Sequence, residues 1–106
     1  MRVLFDQGTP VPLRRLLAPH DVATAYELGW SSLRNGELMS AAESSGFHVL
    51  LTTDQRLRHQ QSLAGRSLAV VVLTTTSWPR IEPAAPAILR VIATAVPGTY
   101  ADVTIP

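Results

Sequence analysis

Leu68-Ala69-Val70-Val71-Val72-Leu73 is the stretch that decides the fold. A short, near-continuous apolar run is the pattern of a central parallel strand, which helices cover on both faces. Working upstream, Phe47 to Thr52 reads as another strand, and it ends in Thr52-Thr53-Asp54, where a short polar helix through Gln61 begins, carrying Arg56, Arg58 and His59. Before it, Gly36 to Ser45 reads as a helix with Leu38, Ala41 and Ala42 on its inner face and Gly46 placed for a left-handed stop. Residues 2–5 form a compact strand ending at Asp6, and Gln7 to Pro10 form a turn. Leu13, Leu16 and Leu17 then recur at helical spacing, with Pro12 in the first turn, where its missing amide is harmless. His20 to Ala25 alternates as another strand, and Tyr26 to Trp30 leads into a polar loop, Ser31 to Asn35. Downstream of Trp78-Pro79, Pro83 to Val96 predicts a helix that is apolar around much of its circumference, a pattern of core burial or of an oligomer contact. Thr99 to Ile105 adds an edge strand or forms a tail. Strands alternating with helices predict an α/β fold in three layers, α/β/α, around a mainly parallel sheet of four or five strands.

Length and composition narrow the classes. With 106 residues the chain is expected to form a single domain over 1–106, with residues 97–106 as its edge strand or tail. An apolar fraction of 46% with 16% charged residues describes a globular protein and excludes a disordered or fibrous one. Net charge is +1, yet all nine basic residues are Arg, a side chain suited to bidentate phosphate contact. Cysteine is absent, which removes disulfides, thiolate metal sites and cysteine nucleophiles. Asp6 interrupts any signal-like apolar region, and no apolar run approaches the roughly 20 residues of a membrane crossing. A soluble, cytoplasmic protein is therefore the expectation.

Asp6, Glu37 and Asp54 each stand where a strand or its following loop hands over to a helix. Ligands of open α/β sheets bind in the crevice beyond the carboxyl ends of the strands, so acids delivered there can meet around one cation. Each acid also has a local reading. Asp54 suits an N-cap, Glu37 complements the positive end of a helix, and Asp6 suits a turn in which aspartate bonds its own backbone. Taken together they come from three successive units on one predicted sheet edge. Like charges gathered there raise each other's pKa unless a cation compensates, and oxygen-only ligation points to Mg²⁺ or Mn²⁺ and to phosphodiester chemistry.

The segments Leu4-Phe5-Asp6, Glu27-Leu28-Gly29-Trp30, Asn35-Gly36-Glu37-Leu38 and Leu50-Leu51-Thr52-Thr53-Asp54 carry a resemblance over nearly the whole chain. The chain resembles the small PIN-like proteins of bacterial toxin-antitoxin systems, which look like reduced PIN domains. The resemblance implies a PIN-like fold and an endoribonuclease toxin in which Asp6, Glu37 and Asp54 hold Mg²⁺ as catalytic and metal-binding acids. It also implies an RNA substrate and a small antitoxin partner. Several relatives place a fourth acid two residues past the last of these, followed by an aromatic residue; here Arg56 and Leu57 stand there. That departure weakens a two-metal arrangement and leaves two roles for Arg56: contact with a substrate phosphate, or an ion pair that silences the site.

Around these acids, Thr53 is placed to orient Asp54, while Arg14, Arg15, Arg34 and Arg58 form either an RNA-binding rim or solvated helix faces. His20, His48 and His59 lack the spacing of a zinc pair, and Trp30 and Trp78 suit packing better than base stacking. A phosphorelay receiver would need a lysine, and there is none. Nucleotide phosphate loops, Gly-x-Gly-x-x-Gly and Gly-x-Ser-x-Gly are absent too. The competing expectation is a non-catalytic RNA-binding or protein-binding module on the same fold, and the apolar helix leaves a homodimer open.

Overall fold

The computed structural model describes residues 1–106. Five strands form one fully parallel sheet: β1 (Arg2–Phe5), β2 (Asp21–Thr24), β3 (Val49–Thr52), β4 (Ala69–Leu73) and β5 (Tyr100–Val103). Their order across the sheet is β2-β1-β3-β4-β5. β3 and β4 are buried along their whole length, which is why they read as unbroken apolar runs. The C-terminal segment resolves into the edge strand β5, in register with Val70 to Leu73.

Alternation along each strand sends side chains to two cores. Val3, Phe5, Val49, Leu51, Val71 and Leu73 face one side, where Leu13 and Leu17 of a 3-10 helix (Val11–Leu17) meet Ile81, Ile88 and Ile92. Leu4, Leu50, Val70 and Val72 face the other, against Leu38, Met39 and Ala42 of α1 (Asn35–Ser44) and Leu57 of α2 (Leu57–Gln60). The result is the expected three-layer arrangement. The two connections on the 3-10 side, after β1 and after β4, cross the sheet in opposite directions and so have opposite hands. Parallel crossovers are nearly always of one hand, so the final one is the exception in this fold.

Two local expectations differ from the structure. The segment after Pro12 winds as a 3-10 helix instead of an α-helix. In place of one helix over 83–96 there are three pieces that begin and end earlier: α3 (Trp78–Ile81), a 3-10 turn (Glu82–Ala84) and α4 (Ala85–Ala93). Pro79, Pro83 and Pro86 each fall in the first two positions of a piece, where a missing amide costs nothing, so the prolines restart the helix instead of ending it. Ile88 and Ile92 are fully buried, and Leu89, Val91 and Ala95 pack partly against the same core. Core burial accounts for the breadth of the apolar surface on α4 without a second chain. No helix is long and apolar enough to cross a membrane.

Candidate functional site

The strand order reverses between β1 and β3, because the chain leaves β1 over one face of the sheet and arrives at β3 from the other. A crevice opens beyond the carboxyl ends of strands at such a switch point. Asp6 follows β1 and Asp54 follows β3, so both acids stand at its mouth.

Asp6 is half-buried and held by three donors. Its Oδ1 accepts the Gly8 N–H at 3.1 Å and the Thr9 hydroxyl at 2.9 Å, and its Oδ2 accepts the Thr52 hydroxyl. Thr9 Oγ1 is equally close to the Leu51 carbonyl, and its single proton serves one acceptor at a time. Thr9, Thr24 and Thr52 are the buried polar side chains of the protein, and two of the three point at Asp6. No basic side chain lies within ion-pair distance of Asp6, whereas Asp21, Glu27, Glu43, Asp54 and Asp102 each have an arginine. Burial pushes the Asp6 carboxyl above the usual carboxylate range; its hydrogen bonds to Thr52, Thr9 and Gly8 pull it down, and the charge of Asp54 adds to the rise.

Thr52 links the two acids. It donates to Asp6 while accepting the Asp54 N–H at 3.0 Å, so the loop after β3 is positioned by the same hydroxyl that orients Asp6. This is the orienting role expected of Thr53. Thr53 instead lies against the turn after β1: a Cβ on Gly8 would come within 2.4 Å of its Oγ1. Asp54 Oδ1 accepts the Arg56 N–H at 3.0 Å, with Arg56 Nε 3.8 Å away. Arg56 is 82% exposed, so that pairing is a loose surface contact of little energetic weight.

Glu37 does not join this pair. It reaches back to the start of α1, where its Oε1 accepts the Arg34 N–H at 3.3 Å. No three acidic or histidine side chains come together as a metal-holding group, so the meeting of Asp6, Glu37 and Asp54 around one ion is not present in this arrangement. Glu37→Gln preserves the capping acceptor and is expected to leave stability within about 0.5 kcal/mol in thermal unfolding, and RNA cleavage within a few-fold. A tenfold or larger fall in cleavage with unchanged stability would return a charge-dependent role to Glu37.

The other expected rim residues divide. Arg58 is taken up by Asp102 at 2.9 Å and by the Tyr100 ring, 5.5 Å from the guanidinium to the ring centre. Arg14 is paired with Glu27, and Arg15 and Arg34 are exposed. Trp30 packs edge-on against Phe47 at 6.2 Å, and Trp78 packs partly against the core. The residues that sequence reasoning did not single out are Thr9 and Thr52. Their signal was polarity at positions otherwise destined for the core.

The donor set at the crevice suits one oxygen-seeking divalent cation. A carboxylate offers about four lone-pair positions; Asp6 uses three, and Asp54 Oδ2 carries no hydrogen bond. Mg²⁺ is commonly bound through one or two carboxylates while keeping several waters. Two acids do not suffice for a pair of ions. Comparison with known proteins finds no matching family model, curated protein or solved structure. The site is therefore read as a carboxylate pair at the switch point of a parallel α/β sheet.

Proposed function

We propose that the protein is a Mg²⁺- or Mn²⁺-dependent endoribonuclease, of the PIN-like toxin type that its sequence resembles, with Asp6 and Asp54 as the metal-holding acids. The observation that carries this reading is Asp6: a half-buried carboxylate, repelled by a second acid and lacking any basic partner. Such a group is costly to keep ionised unless a cation compensates it. The ion would polarise a phosphoryl oxygen and lower the pKa of a water. Asp6, fixed by Gly8, Thr9 and Thr52, offers an oriented ligand; Asp54 offers a second one through its free Oδ2, and Arg56 beside it projects into solvent within reach of a phosphate.

The test is cleavage of single-stranded RNA by the whole chain. Activity is expected to require Mg²⁺ or Mn²⁺ and to vanish in EDTA. Cleavage that persists in EDTA would remove the proposal. As a toxin the protein would be held in check by a small antitoxin, and an adjoining short reading frame encoding a DNA-binding partner would support that role.

A second reading, a non-catalytic RNA- or protein-binding module, is favoured by two observations: Glu37 is engaged as a cap, and Asp54 is bonded to Arg56. It predicts no metal-dependent cleavage and no shift of the melting temperature on adding Mg²⁺.

A further inference from the structure

Beside Asp6, away from α1, lies an open cleft of about 520 Å³, a size ordinary for small-molecule sites. Its walls include Gln7, Val11, Arg14, Tyr26 and Glu27. Two of these are unusual for their exposure: Tyr26 is 80% accessible and Val11 56%, although both are bulky and largely apolar. Tyr26 makes no side-chain hydrogen bond, and the turn that carries it is fixed from below. There Thr24 and Glu27 bond reciprocally, the Thr24 N–H to Glu27 Oε1 at 2.9 Å and the Glu27 N–H to Thr24 Oγ1 at 3.1 Å. An aromatic ring is thus held out on a rigid turn next to the candidate catalytic acid.

Charge decides what such a cleft takes. Arg14 meets Glu27 through both guanidinium nitrogens, and these hydrogen bonds, with that from the Thr24 amide, hold Glu27 below its ordinary pKa. The pair is ionised and mutually neutralised, so it leaves no net positive charge for a phosphate. A flat, uncharged ring with amide and amine edges fits better, because it can lie on Tyr26 and exchange hydrogen bonds with the Gln7 amide and the Glu27 carboxylate. Arg14 Nε is buried without a partner, so the guanidinium meets Glu27 through its two terminal nitrogens alone.

We propose that this cleft is a nucleobase subsite, in which one base of single-stranded RNA stacks on Tyr26 while its backbone passes Asp6 and Asp54. The inference rests on the ribonuclease reading for the identity of the strand and adds to it the residue that grips a base. Phosphates would then run on the Asp54 side, where Arg56 projects into solvent.

The experiment uses the full chain and a single-stranded RNA containing a fluorescent adenine analogue, with Ca²⁺ in place of Mg²⁺. Binding is expected to quench the analogue by stacking. Tyr26→Ala is expected to abolish the quench and weaken binding about 5- to 100-fold, the range for losing one base–aromatic stack. Tyr26→Phe is expected to behave as the wild type. Because residue 26 is exposed, neither change threatens folding. An Ala variant that quenches and binds like the wild type overturns the subsite, as does a Phe variant as impaired as Ala, or a wild type that does not bind RNA. Free adenosine separates strand from monomer: equal competition by the nucleoside and the RNA would assign the cleft to a small molecule and overturn the RNA subsite. A quench that depends on Tyr26 in a protein that cleaves nothing supports the subsite while removing the nuclease; cleavage lost in EDTA with a quench indifferent to Tyr26 does the reverse.

Discussion

Asp6→Asn is expected to lower Mg²⁺-dependent RNA cleavage by on the order of 100-fold or more, the scale for removing one group that supports developing charge, while making the protein more stable. The two effects share one cause. Asparagine occupies the same space, and its oxygen accepts the Gly8 amide and the Thr9 hydroxyl, while the Thr52 hydroxyl, which already accepts the Asp54 N–H, accepts the new amide as well and gives up its own donation to residue 6. Against that lost donation, what disappears is a half-buried negative charge and its repulsion from Asp54. Since the folded state raises the Asp6 pKa, its contribution to stability is fully present below the unfolded pKa. That contribution is lost as pH rises through the folded value. At neutral pH the wild type therefore carries an unfavourable charge that the variant lacks, and a gain of about 0.5–2 kcal/mol is expected in chemical denaturation. Saturating Mg²⁺ should raise the melting temperature of the wild type and leave Asp6→Asn unmoved, because only a ligand bound to the native state stabilises it. Wild-type cleavage by the variant would take Asp6 out of the reaction. Lower stability of the variant would mean that the three donors outweigh the cost of burial.

Gly8→Ala is expected to damage both fold and site through a single contact. The new methyl would sit 2.4 Å from Thr53 Oγ1, and threonine, branched at Cβ, has few ways to turn aside. Overpacking of this kind costs about 1–3 kcal/mol. Relief by separating the two loops would draw the Gly8 amide off Asp6 and spoil the spacing of Asp6 and Asp54, for which a displacement of about 1 Å can cost on the order of 100-fold in rate. Removing the obstructing oxygen supplies the control. In Gly8→Ala combined with Thr53→Ala the next atom of residue 53, its Cβ, lies 3.8 Å from the added methyl, an ordinary contact. The double variant is expected to recover most of the stability, giving a favourable coupling in a double-mutant cycle. If the cycle shows simple additivity, the loops are not in register through this contact.

The site was legible in part, for identifiable reasons. That Asp6 and Asp54 close strands could be read from the apolar runs 2–5 and 47–52, because a run that ends in an acid before a polar helix is a local pattern. Glu37 had the same local credentials. Its fate turned on its neighbour three residues back, whose amide it caps, an interaction the first-turn position already allowed. Arg58 looked available for RNA until β5 placed Asp102 beside it, 44 residues along the chain. The helix read over 83–96 as one piece is divided by its prolines, because Pro83 and Pro86 each occupy the start of a new turn.

Short-range order settled the layers: which segments are strands, that they alternate with helices, and that β4 is interior. Those properties depend on apolar periodicity within ten or so residues, which any chain of this sequence carries with it. The order β2-β1-β3-β4-β5, the switch point it creates and the fourth crossover of opposite hand were decided only by packing, since nothing local says on which face a connection returns. The same holds for the Asp6 carboxylate. Its hydrogen bond to Thr52 spans 46 residues, and its shifted pKa follows from the exclusion of water by a sheet edge that exists only once both strands are paired.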